Sequence, residues 1–163
     1  MRIRFLGADR QVTGSRHLLR TDAGPTLLVD CGLYQERPYL ERNWDPFPVP
    51  PGEIDAVLLT HAHLDHCGAL PRFVRDGFRG RILATAPTVD LARIVLLDSA
   101  HIMEEDAAFK KKRHAKEGRE GAHPEVPLYT VDDARRSFDR FESVSYLEPV
   151  EFGGETCVRF HDA

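Results

Sequence analysis

Cysteine is scarce in this sequence, with three residues among 163, and they lie far apart at Cys31, Cys67 and Cys157. An odd number of separated cysteines does not resemble a disulfide framework, and without a Cys-x-x-Cys pair there is no sign of a thiolate zinc site. This usage is typical of a protein in a reducing compartment, and we expect a cytoplasmic location.

Two further features are missing: a long hydrophobic run and an excess of positive charge. The start of the sequence turns polar within a few residues, and no apolar run reaches the length of a membrane span. A net charge of -4 gives none of the basic character that nucleic-acid-binding domains usually carry. We therefore expect no signal peptide and no membrane partner, and the charge counts mildly against autonomous RNA or DNA binding.

The composition is that of an ordinary globular protein, and its pattern predicts a mixed α/β fold. A hydrophobic fraction of 42% in 163 residues is enough for one domain with a sizeable core. Strand patterns occupy 2–6, 15–21, 26–31, 54–60 and 81–85. Helical spacing follows at 64–76, in a long segment that begins near Pro87, and from Thr130 to about 141. Prolines predict an ordered loop over 32–52, and 149–161 read as a β-hairpin.

The main chemical signal follows the fourth predicted strand. Residues 60–66 read Thr-His-Ala-His-Leu-Asp-His, which places three imidazoles and a carboxylate close together. Both ligand types suit zinc. In an extended segment His61 and His63 point to the same side and can share one ion, while the turn into the next helix directs Asp65 and His66 toward a second position. The spacing therefore predicts two adjacent metal ions.

Two adjacent ions predict a hydrolytic site, because a hydroxide held between two zinc ions is a strong nucleophile at neutral pH. Asp65 is expected to be catalytic as well as a ligand, since it can accept a hydrogen bond from that hydroxide and orient it. Two simpler interpretations stay open. The histidines could be structural residues that cap a helix, or they could bind metal without catalysis.

Asp30 is the second candidate carboxylate and closes the predicted strand 26–31. A plain turn residue is the simple interpretation of such a position. The more specific hypothesis is that Asp30 hydrogen-bonds the histidine cluster and orients its ligands. Gly32 would then let the backbone bend close to the site.

The motif His61-x-His63-x-Asp65-His66, with Val-Asp-Cys-Gly at 29–32, resembles the first two motifs of the metallo-β-lactamase superfamily. The flanking runs 12–17 and 67–71 are similar to its β-CASP branch, the RNA-processing nucleases. This resemblance implies an αββα sandwich and a zinc-dependent ribonuclease with RNA as its partner. It also implies that His61 and His63 hold one zinc, that Asp65 and His66 hold the other, and that Asp30 supports them.

The sequence departs from the family pattern near its C-terminus. It lacks the Ala-Gly-His segment of the third metal motif, the bridging Asp, the last ligand His and the β-CASP cap. We therefore expect residues 1–163 to form only the N-terminal half of the metallo-β-lactamase domain and to be inactive alone. His161 could be mistaken for a ligand, but its alternation with Val158 and Phe160 predicts a solvent-facing position. An incomplete sheet would expose apolar surface and favour homo-oligomers.

Two other functions remain open at this stage. Members of the same superfamily that share the first two motifs include hydrolases of small thioesters and lactones, so the fold alone does not fix an RNA substrate. A catalytically inactive fragment that serves as a scaffold is the third hypothesis.

Overall fold

A six-stranded sheet forms the frame of the protein, whose computed structural model describes residues 1–22, 24–118, 125–153 and 156–162. The strands lie side by side in chain order: β1 (Arg2–Gly7), β2 (Arg16–Arg20), β3 (Thr26–Val29), β4 (Ala56–Leu58), β5 (Arg81–Thr85) and β6 (Phe141–Val144). Strands β1, β2 and β3 pair antiparallel, and β3 through β6 run parallel. The carboxyl ends of β3 and β4 therefore meet at one edge of the sheet.

The helices pack on one face of this sheet, because parallel strands need crossover connections. Their bounds are α1 (Leu64–Cys67), α2 (Leu70–Arg75), α3 (Ala86–Glu117) and α4 (Val131–Ser137). Gly118 ends α3 in the left-handed conformation, with φ 61°, as glycine commonly does after a helix. The side chains between helices and sheet form the larger hydrophobic cluster, whose fully enclosed members include Leu28, Phe73 and Leu96.

The other face of the sheet carries a smaller apolar cluster of Leu27, Ala56, Leu58 and Leu83. It packs against a short antiparallel hairpin, β7 (Val150–Glu151) and β8 (Cys157–Val158), which confirms the predicted hairpin in its described part. Within the described ranges, no helix is long and apolar enough to cross a membrane.

The predicted mixed α/β class is confirmed, and three of the predicted segments need correction. The expected loop 32–52 contains a 3₁₀ helix, Arg37–Trp44, because Pro38 sits in its first turn, where no backbone N–H is needed. The expected helix 64–76 is two short helices, with Pro71 opening the second. The helix predicted to reach about 141 ends at Ser137, and the chain continues through a 3₁₀ turn, Phe138–Arg140, into β6.

Candidate metal centre

The histidine cluster lies at the carboxyl ends of the parallel strands, where α/β sheets commonly bind ligands. Residues 59–63 leave β4 in non-helical backbone, and α1 begins immediately after His63. Asp30 follows β3, the neighbouring strand, so parallel pairing brings it to the same edge. Two separate sequence motifs therefore converge because of the sheet.

The structure brings the four predicted ligands together. The ring centroids of His61 and His63 are 4.7 Å apart, and those of His61 and His66 are 3.9 Å apart. Asp65 Oδ2 lies 3.4 Å from His66 Nε2. His63 is exposed and the other three are half-buried, so a substrate can reach the cluster from solvent.

Asp30 is the hydrogen-bonding centre beneath this cluster, with a side chain only 4% exposed. Its carboxylate accepts from the backbone N–H and the hydroxyl of Thr60, both at 2.9 Å, and lies 3.4 Å from the Ser15 hydroxyl. His66 Nδ1 is 2.7 Å from Asp30 Oδ2. Because a carboxylate only accepts, Nδ1 donates this bond and Nε2 keeps a lone pair on the Asp65 side.

The backbone around Gly32 holds the motif of Asp30 against the motif of the histidines. Ser15 N–H donates to Asp65 O at 2.8 Å, Cys31 N–H donates to His66 O at 2.7 Å, and Leu33 N–H donates to Leu64 O at 2.9 Å. A β-carbon added to Gly32 would overlap the carbonyl of Asp65 and lie 2.7 Å from the nitrogen of His66. Only glycine permits this approach, as the sequence hypothesis for Gly32 requires.

Three residues near the site were not predicted from the sequence. The Thr60 hydroxyl lies 3.0 Å from His61 Nδ1 as well as on Asp30, and Ser15 contacts Asp30 from the other side. Arg16 is buried and donates from Nε and Nη2 to the carbonyl of Gly32, at 3.1 and 2.7 Å. Ser15 and Arg16 lie in the run 12–17 that carried the family resemblance, which was the one signal available for them.

Burial and charge shape the protonation of the site. Burial lowers the pKa of His61, and repulsion from His66 and His63 lowers it further, against the attraction of Asp30 and Asp65. Neutral imidazole is the form that binds metal. Burial raises the pKa of the Cys31 and Cys67 thiols to about 12, so both behave as small hydrophobic side chains beside the cluster.

The donor chemistry fits metal ions even though the side chains are not closed around one point. Across the described part of the chain, no three His, Cys, Asp or Glu side chains already surround a common metal position. The cluster nevertheless offers imidazole and carboxylate donors within a few ångströms, on a backbone fixed by hydrogen bonds. His161 lies beyond β8 and is exposed, as predicted for a solvent-facing residue.

Similarity to known proteins adds a second line of support. The metallo-beta-lactamase superfamily domain matches residues 18–158. The chain is 52% identical over 153 residues to the Ribonuclease TTHA0252 of Thermus thermophilus, covering 94% of this chain and 29% of that protein. It is 29% identical over 159 residues to the Endoribonuclease YSH1 of Saccharomyces cerevisiae, covering 96% and 19%. It is 31% identical over 161 residues to the Transcription termination factor FttA of Methanocaldococcus jannaschii, covering 97% and 21%.

Solved structures show the same fold. The subclass B3 metallo-beta-lactamase MEM-A1, from a soil metagenome library, matches with a TM-score of 0.52 at 18% identity, over 98% of this chain and 48% of that one. The chain thus spans less than a third of the named relatives' length and about half of this structural neighbour.

Proposed function

Because this chain belongs to the metallo-β-lactamase superfamily, we propose that it is the metal-binding part of a ribonuclease that hydrolyses RNA phosphodiester bonds. The observation that carries the proposal is the convergence of Asp30 with His61, His63, Asp65 and His66 at one edge of the sheet. Relatives with the printed names ribonuclease and endoribonuclease, matched along nearly the whole chain, support RNA as the substrate.

Two zinc ions are the proposed cofactors. His61 and His63 would hold one, and Asp65 and His66 would hold the other. Zinc at this place supplies Lewis acidity, which activates water at neutral pH and stabilises negative charge on the phosphate under attack.

The chain's own residues have separable tasks in this proposal. Asp30 holds the proton of His66 on Nδ1, so the Nε2 lone pair stays available and the ring cannot turn. Thr60 fixes Asp30 and contacts His61, which links the supporting acid to both proposed ion positions. Asp65 would bind metal and accept a proton or hydrogen bond from the attacking water.

The test is RNA cleavage by the longest natural form of the protein that contains this chain. A double variant, His63→Ala with Asp65→Ala, should lose activity on single-stranded RNA by at least about a hundredfold, because it removes one donor from each proposed ion. The control is His101→Ala, which changes an exposed histidine on α3. Undiminished cleavage by the double variant would refute the proposal. Turnover of a lactone or thioester with no cleavage of RNA would establish the small-molecule alternative instead.

The 163-residue chain by itself should bind zinc weakly and cleave no RNA. Its four proposed ligands supply two protein donors per ion, whereas catalytic zinc usually has three. Metal-dependent nuclease activity of the purified chain would contradict this expectation.

Location and assembly are proposed on slighter grounds. The buried free thiols of Cys31 and Cys67 support a cytoplasmic location. Apolar side chains exposed on the edge strand β1, Ile3 and Phe5, support self-association. Light scattering over a concentration series would measure the oligomeric state.

A further inference from the structure

A second cavity, of about 300 Å³, is lined mainly by arginines. Its charged walls are Arg75 at the end of α2, Arg79 before β5, Arg136 on α4 and Arg140 before β6, together with Asp133 and Asp139. The four arginines and two aspartates give the lining a formal charge of +2, in a chain whose net charge is -4. The cavity is therefore a local exception to the charge of the protein.

The cavity is separate from the candidate metal centre. Arg79 and Arg140 immediately precede β5 and β6, so they lie at the amino ends of two parallel strands. The histidine cluster lies at the carboxyl ends of β3 and β4, which run in the same direction. The two sites thus occupy opposite edges of the sheet.

Backbone carbonyls anchor three of the guanidinium groups. Arg79 Nη1 donates to the carbonyls of Val74 and Phe78, at 3.0 and 2.9 Å. Arg140 Nη1 donates to the carbonyl of Arg79 at 2.9 Å, and Arg75 Nη1 donates to that of Leu128 at 2.9 Å. A neutral carbonyl fixes a guanidinium without cancelling its charge, and each arginine has further N–H groups to offer.

Carboxylates balance this charge only in part. Asp133 Oδ2 is 3.5 Å from Arg75 Nη1 and also accepts from the backbone N–H of Thr130 at 3.0 Å, where it caps α4. Asp76, 3.1 Å from Arg75 Nε, pairs with the same arginine. These contacts concentrate negative charge beside Arg75. Like charges around one space repel each other, and a bound anion would relieve that repulsion.

We propose that this cavity binds a phosphate group. Fixed guanidinium forks match the oxygens of phosphate, and the anchored arginines are ordered before the ligand arrives. The phosphate can come from the backbone of RNA or from a small free phosphate. Only the RNA source rests on the proposed ribonuclease function.

The first arm of the test uses inorganic phosphate and the full 163-residue chain with a metal chelator present, so that the metal centre takes no part. Thermal unfolding is followed at constant ionic strength while chloride is replaced by phosphate, and arginine Nε–H signals are followed by NMR. The melting temperature should rise with phosphate, because a ligand that binds only the folded state stabilises it.

Matched variants locate the effect. Arg136→Gln combined with Arg140→Gln should abolish the phosphate-dependent rise, while Arg135→Gln should keep it. Arg135 lies on the same helix, α4, is 65% exposed and pairs with Asp132 outside the cavity. The proposal fails if the wild type shows no response to phosphate, or if the double variant responds as strongly as the wild type.

The second arm titrates a short fluorescent single-stranded RNA at several salt concentrations. If RNA supplies the phosphate, the double variant should reduce the slope of log K against log salt by about 1.4, since each lost phosphate contact contributes about 0.7 on a single strand. A phosphate effect in the first arm with an unchanged RNA slope would support the site and assign it to a free phosphate. Failure of RNA cleavage would sink the proposed function and leave the first arm standing.

Discussion

Replacing Gly32 with alanine tests the link between the backbone and the candidate metal centre. The added methyl group would overlap the Asp65 carbonyl and lie 2.7 Å from His66 N, against 3.4 Å for an ordinary contact. The two segments must therefore separate by at least about 0.7 Å, more than the roughly 0.5 Å that a functional constellation tolerates. Zinc affinity should fall at least about tenfold.

The same separation would strain the three backbone hydrogen bonds that join 15 and 31–33 to 64–66. At about 1 kcal/mol each, their loss would cost about 2–3 kcal/mol, or about 4–12 °C in melting temperature for a chain of this length. Calorimetry of zinc binding and of unfolding measures both effects. The control is Gly52→Ala, where the nearest atom is 3.7 Å away and the change should stay within about 0.5 kcal/mol. If Gly32→Ala binds zinc and melts as the wild type does, the account of this contact is wrong.

The remaining predictions concern one residue each. Asp30→Asn keeps the side-chain shape and tolerates the left-handed backbone at φ 59°, yet it should weaken zinc binding by about 10–100-fold in calorimetry, and unchanged affinity would count against a supporting role. The Thr13 hydroxyl lowers the pKa of Glu36 to about 2, from 4.5, so the ionised carboxylate stabilises the fold above about pH 4.5 and that stabilisation is lost as the pH falls toward 2. The melting difference between wild type and Glu36→Gln should therefore shrink across that interval, and a constant difference would contradict the pKa. Thr130→Ala removes the capping box of α4 and should cost about 1 kcal/mol in chemical denaturation, whereas Thr130→Ser should retain most of it.

The chemistry of the site was predictable because it is encoded by residue type and by local spacing. His61 to His66 lie within six residues, and β4 and α1 needed only their approximate places for the four side chains to come together. The capping box of Thr130 and Asp133 was likewise found where its spacing predicts it. Such features depend on neighbours in the sequence, so the sequence shows them.

Features that depend on long-range contacts were missed. Asp30 gains its partners Thr60 and His66 only because β3 pairs in parallel with β4, and Arg16 reaches Gly32 only after the sheet forms. The arginine cavity collects residues 61 and more positions apart, from α2 to the start of β6, and no local pattern marks it. β6 was missed because its polar residues 142 and 143 conceal a strand that is defined by its pairing with β5.

The central claim, that His61, His63, Asp65 and His66 hold the metal, is tested most directly by measuring zinc bound per chain. Equilibrium dialysis with elemental analysis would compare the wild type with His61→Ala, His66→Ala and the control His101→Ala. The account predicts binding by the wild type and the control, and a clear loss in both cluster variants. Zinc bound as tightly by His61→Ala and His66→Ala as by the wild type would contradict it.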